Sequence, residues 1–179
     1  MNTLPLAPTV LLLVLALGGI WFDVRERRIP NALTVSVLVA ALLWRAPLGL
    51  AALGQGLTGA GLCFALSLLL FLTGGLGGGD VKMLTAAGAL LGPARLDTAL
   101  LVMALVGGVM AVMQILARRR VRETAANLHT IISTFGLRTF NGWKGTGQGA
   151  PLTLDSPDAI ALPYGVAIAA GALAGWFLV

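Results

Sequence analysis

The sequence predicts an all-α integral membrane protein of about six transmembrane helices. Three observations point to it. Of the 179 residues, 58% are hydrophobic and 11% charged, where a soluble domain carries roughly a quarter charged residues. The mean hydropathy is +0.92. The charges stand in short clusters between apolar runs near the roughly 20 residues that a helix needs to cross a bilayer. The chain reads as a single membrane domain over residues 1–179.

The first segment runs from about Leu6 to Phe22. No basic stretch precedes it and no small-residue cleavage pattern follows, so it reads as a retained helix and not a removed signal peptide. A polar turn, Asp23-Val24-Arg25-Glu26-Arg27-Arg28-Ile29-Pro30-Asn31, ends it. Pro30 and Asn31 suit the start of a second helix, about Ala32 to Trp44, and Arg45 to Pro47 form a connector. The third segment is about Leu50 to Leu72. It contains Gly54-Gln55-Gly56-Leu57-Thr58-Gly59, a literal G-x-G-x-x-G without the strand context of a nucleotide site. Gly56 and Ala60 read instead as small residues that let helices approach.

A fourth segment spans about Asp80 to Leu91 and stops at Gly92-Pro93. Arg95 and Asp97 fall in the next connector. The fifth segment is about Thr98 to Ala117, closed by Arg118-Arg119-Arg120. Residues 118–158 are the only long polar region. Val121, Ala125, Leu128, Ile132 and Phe135 fall at helical spacing beside arginines, the pattern of an amphipathic helix on a membrane surface, with His129 solvated or interfacial. Gly136 to Asp158 reads as an irregular loop, in which Asp155 and Asp158 suit capping of the next helix. The sixth segment is about Ala159 to Val179.

Charge distribution gives the orientation. With six spans, ten of the twelve Lys and Arg residues lie on one side and only Arg45 and Arg95 on the other. The basic side faces the cytoplasm. Both termini are therefore expected outside, with residues 118–158 forming a cytoplasmic loop. The net charge of +5 is topology information, because no basic face with interleaved aromatics marks a nucleic-acid binder. Cys63, the single cysteine, excludes an intrachain disulfide or a cysteine-based zinc site and reads as a small buried hydrophobe.

Against this background one stretch stands out: Gly74-Gly75-Leu76-Gly77-Gly78-Gly79-Asp80-Val81-Lys82-Met83. An ionisable group at the edge of an apolar segment is costly and marks a functional site. The glycines before Asp80, Gly77 and Gly79 among them, permit a positive φ or a close backbone approach. Asp23, at the end of segment one, lies at the same cytoplasmic depth. Two neighbouring carboxylates do not readily both ionise, so one acts as base toward a water and the other as acid toward a carbonyl. The competing reading is that Asp80 caps its helix and that Asp23 pairs with Arg27. Lys82, two residues beyond Asp80, points away from it and suits a substrate or lipid-headgroup contact.

The Asp23–Asn31 stretch resembles the first aspartate motif of the type IV prepilin peptidases. Gly77-Gly78-Gly79-Asp80-Val81-Lys82-Met83 resembles their G-x-G-D motif, and Leu162-Pro163-Tyr164-Gly165-Val166-Ala167-Ile168-Ala169-Ala170-Gly171 their final-helix motif. The three occur in family order. The resemblance implies an aspartic endopeptidase of the bacterial or archaeal cytoplasmic membrane, with Asp23 and Asp80 as the catalytic pair. It implies removal of the basic leader from prepilins or pseudopilins at the cytoplasmic face, without metal or organic cofactor. Arg28, Asn31, Lys82 and Tyr164 fall in these motifs as candidate substrate or headgroup contacts. A pilus or secretion assembly machinery is the implied context.

Long members of that family carry an N-terminal cytoplasmic region, often with Cys-x-x-Cys pairs, and also N-methylate the product. The present chain resembles the short form of tight-adherence (Flp) pilus systems, so bifunctional peptidase and methyltransferase activity is the weaker expectation. Two other readings of the acids remain. One is an ion-coupled transporter, whose sites usually lie near the midplane; the other is a catalytically idle assembly protein, which would be expected to lack an aspartate.

Overall fold

The computed structural model describes residues 5–72, 75–117 and 163–179. Among these residues all regular structure is helical. The helices are α1 (Leu6–Glu26), α2 (Asn31–Arg45), α3 (Leu50–Leu72), α4 (Gly78–Leu91), α5 (Leu96–Ala117) and α6 (Tyr164–Phe177). Short 3-10 turns at Ala46–Leu48 and Pro93–Arg95 link α2 to α3 and α4 to α5. Among the described residues, four segments are long and apolar enough to cross a membrane: Leu6–Glu26, Asn31–Leu48, Leu50–Leu72 and Pro93–Gln114. Their outer surfaces carry exposed Leu13, Leu17, Leu62, Phe64, Leu101 and Leu105. These are tolerable outside only where hydrocarbon replaces water. The chain is a multi-pass membrane protein.

Helix α4 is the centre of the bundle. It packs against α1, α2, α3 and α6, while α5 lies against α6. From Asp80 to Leu91 only Lys82 and Thr85 escape full burial. With 14 residues it is about 21 Å long, short of a ~30 Å hydrocarbon core.

Small residues make the close crossings. A methyl group on Gly88 of α4 would collide with the backbone oxygen of Gly59 and with Cys63 on α3, and one on Gly59 would strike Gly88 in return. Gly171 of α6 meets the α5 backbone at Ala99, and Gly175 the backbone of Arg95 just before α5, in the same way. The G-x-G-x-x-G stretch is thus a helix-packing element: Gly59 admits α4, Gly56 makes room for the Arg45 side chain, and Ala60 is buried. Cys63 is a core residue.

Several boundaries differ from the sequence reading. Helix α1 continues four residues past Phe22, so Asp23 lies inside it. Arg25 stacks on Trp21, one turn back, with 5.2 Å between guanidinium carbon and ring centroid. The helix stops where Arg27 turns left-handed (φ 52°) and its N–H bonds the Asp23 carbonyl. Helix α4 begins at Gly78 and holds Asp80 in its first turn. Asp97 belongs to the first turn of α5, not to a connector.

Arg45 closes α2 and is buried, not part of an exposed connector. Its Nε donates to Ala89 O at 3.0 Å, Nη2 to Leu90 O at 2.8 Å and Nη1 to Ala52 O at 3.2 Å. The last carbonyls of a helix have no intrahelical donors, and the residue that would serve Ala89 is Pro93, which has no N–H. Arg45 supplies that donor for Ala89 and a second one for Leu90. The expected amphipathic helix, His129, Asp155, Asp158 and residues 159–162 lie outside the described residues.

Candidate active site

The buried stripe of α1 runs Leu12, Leu15, Ala16, Gly19 and Asp23, which is one face at helical spacing. Asp23 is the polar end of that stripe. On α4 the matching positions are Met83 and Asp80, one turn apart. A methyl group on Gly19 would fall 2.7 Å from the Met83 sulfur, so α1 and α4 touch there. From this contact Asp23 lies one turn toward the end of α1 and Asp80 one turn toward the start of α4. The antiparallel pair therefore sets both acids on the same side of one crossing. Both are nearly buried, 8% exposed for Asp23 and 9% for Asp80.

Each acid is held by a backbone N–H at a helix start. Gly77 donates to Asp80 Oδ2 at 3.1 Å, which completes one half of a capping box. Gly165, in the first turn of α6, donates to Asp23 Oδ2 at 2.6 Å. Both carboxylates thus lie at the positive end of a helix dipole. The capping interpretation of Asp80 is accordingly part of the geometry. For Asp23, the carboxylate bonds Gly165 and makes no close salt bridge to a described cation, while Arg27 acts on it only electrostatically. Among the described residues no second partner holds either Oδ1. No buried side-chain oxygen among the described residues lacks a partner, so both Oδ1 atoms open onto accessible space.

The glycines act through space, not through unusual backbone angles. Gly77 is extended (φ −82°), Gly78 and Gly79 are helical, and the positive-φ glycines among the described residues are Gly49 and Gly92. Of the two roles the sequence allowed, a positive φ is not taken at Gly75, Gly77, Gly78 or Gly79. Close approach is what they provide. A Cβ on Gly79 would lie 3.2 Å from Ile29 Cβ, and one on Gly77 would lie 3.1 Å from Asp80 Oδ2. Gly165 is tighter, with a Cβ position 2.7 Å from Asp23 Oδ2.

The remaining motif residues divide. Lys82 Nζ donates to Asn31 Oδ1 at 2.7 Å on the exposed surface, so the two meet each other. Arg28 is exposed in the α1–α2 turn. Tyr164 is half-buried at the start of α6, with its ring edge 3.6 Å from where a Cβ on Gly107 of α5 would stand. Gly165 is the residue for which sequence reasoning assigned no role. Its signal was the Pro163-Tyr164-Gly165 start of a helix, which says that N–H groups are free there but not which acid they meet. Among the described residues no group of three His, Cys, Asp or Glu side chains gathers as a metal site.

Comparison with known proteins agrees with the motifs. The model of the type IV leader peptidase family matches residues 9–112, a range that includes both acids. No curated protein and no solved structure matches the chain. With more than half of its length covered by the family model, this membrane protein belongs to the type IV leader peptidase family.

Proposed function

We propose that the protein is an aspartic endopeptidase that removes the basic leader of type IV prepilins or pseudopilins, with Asp23 and Asp80 as its catalytic pair. What supports this reading is two nearly buried carboxylates one helical turn from the Gly19–Met83 contact, each with Oδ2 tied to a backbone N–H. One carboxylate takes a proton from a water as its oxygen attacks the scissile carbonyl carbon. The other carboxyl gives its proton to the carbonyl oxygen, forming a tetrahedral diol. Collapse of the diol breaks the C–N bond as a proton passes to the leaving amine. The fixed Oδ2 atoms hold both groups in place through the cycle, which spares reorganisation in the transition state.

The topology that accompanies this reading has six spans, with the short helices α4 and α6 completing the crossing. The acids face the cytoplasm and both termini lie outside. Positive charge then gathers at the mouth of the site, where a substrate enters from the anionic leaflet. Arg28 and Tyr164 serve as substrate or headgroup contacts, Gly77 and Gly79 support the Asp80 backbone, and residues 118–158 form the cytoplasmic loop of a single peptidase domain. The test is leader removal from a prepilin by the purified protein, with the carboxylates neutralised one at a time.

A further inference from the structure

Two side chain–side chain hydrogen bonds occur among the described residues, and they sit at opposite ends of the bundle. Trp176 Nε1 donates to Thr9 Oγ1 at 3.0 Å at one end. Lys82 Nζ donates to Asn31 Oδ1 at 2.7 Å at the end that holds the acids. Asn31 is the first residue of α2 and Lys82 belongs to the first turns of α4. The bond therefore ties the start of α2 to the start of α4.

A second contact joins the same two places. Ile29, in the turn before α2, is buried against Gly79, with 3.2 Å between its Cβ and the Cβ position of the glycine. Between Asp23 and Ile29 the chain has little freedom. The Arg27 N–H closes onto Asp23 O at 3.1 Å, and Pro30 fixes φ on the far side. The end of α1 and the start of α2 thus move as one piece, and what seats that piece on α4 is Ile29 on Gly79 together with Asn31 on Lys82. An ammonium donor makes the second bond charge-assisted and stronger than a neutral one.

We propose that Asn31 and Lys82 form a latch that positions the end of α1 over the start of α4 and so sets the spacing of Asp23 and Asp80. Lys82 is then a positioning residue and not a substrate contact. The proposal rests on the reading of the two acids as the catalytic pair. It assigns one task to two residues that stand 51 positions apart in the chain.

Two measurements test it. In a prepilin cleavage assay, Asn31→Ala and Lys82→Met each lower kcat about tenfold with little change in KM, since a small displacement of a reacting group is costly. The double variant is no slower than either single one, as for partners in one bond. The second measurement does not use activity. In a Cys63→Ser background, Ile29→Cys and Gly79→Cys report the seating of the turn through their rate of disulfide formation, which requires a Cβ separation of about 3.5–4.5 Å. Asn31→Ala and Lys82→Met each slow that rate severalfold, and Lys82→Arg, which keeps a donor, regains most of it.

Multiplying effects in the double variant, a rise in KM on Lys82→Met with Asn31→Ala silent, or unchanged cross-linking would overturn the latch. Normal cleavage by Asp23→Asn would overturn the catalytic reading instead, and the cross-linking rates would still decide whether the latch exists.

Discussion

Gly165 shows how a residue without a side chain takes part in an acid's environment. Its N–H reaches Asp23 Oδ2 at 2.6 Å only because no Cβ intervenes; the added atom would lie 2.7 Å from that oxygen and 3.1 Å from Cγ. Gly165→Ala must therefore push the carboxyl aside or separate α6 from α1. We expect kcat for leader cleavage to fall on the order of tenfold or more, given the sensitivity of reacting groups to displacement, with KM little changed. Steady-state kinetics on the purified variant checks this. The sequence made Asp23 and Asp80 legible because a charge in an apolar run is conspicuous. Gly165 was not, because a backbone donor leaves no mark in composition and its acceptor lies 142 positions away.

At the scale of the helix, α4 carries the argument. It is short and nearly buried, and its two ends are satisfied by different means. Asp80 accepts the Gly77 N–H at the start, and at the end Arg45 supplies the donor that Pro93 cannot give Ala89, together with one for Leu90. Arg45→Leu leaves the Ala89 and Leu90 carbonyls unpaired, which costs about 2–4 kcal/mol by the usual penalty for buried unsatisfied groups. Arg45→Lys loses less, because an ammonium reaches one carbonyl but lacks the fork for two. Thermal unfolding in detergent micelles, with hydrogen exchange along α4, measures the order wild type, Lys, Leu. Segment extents were readable from apolar runs, as α3 at Leu50–Leu72 shows. The ends were not. Helix α1 continues through Asp23, with Arg25 stacked on Trp21, and α4 starts at Gly78, with the Gly77 N–H bonded to Asp80. Arg45 read as a connector charge because its acceptors lie some 45 residues on.

For the whole molecule, hydropathy and charge asymmetry carry most of the reading. Four described segments have the length and composition of membrane spans. The central short helix α4 fits a site recessed from one face of the membrane. The six-span topology makes a definite claim: a periplasm-dependent reporter fused after Val179 is active, and one inserted in residues 118–158 is inactive. The reverse pattern would place the acids on the wrong side for a basic leader. Close crossings such as Gly59 on Gly88 were only partly foreseeable, since small residues announce that helices approach but not which helices meet.

The pairing of Asp23 with Asp80 is tested most directly by single-turnover cleavage of a prepilin in detergent, comparing wild type with Asp23→Asn and Asp80→Asn. Each substitution keeps the shape of the side chain and removes the proton-transfer group. Each alone is expected to slow cleavage by about 10²–10⁴-fold or more while the protein still inserts and melts as wild type. Cleavage at the wild-type rate by either folded variant would contradict the account.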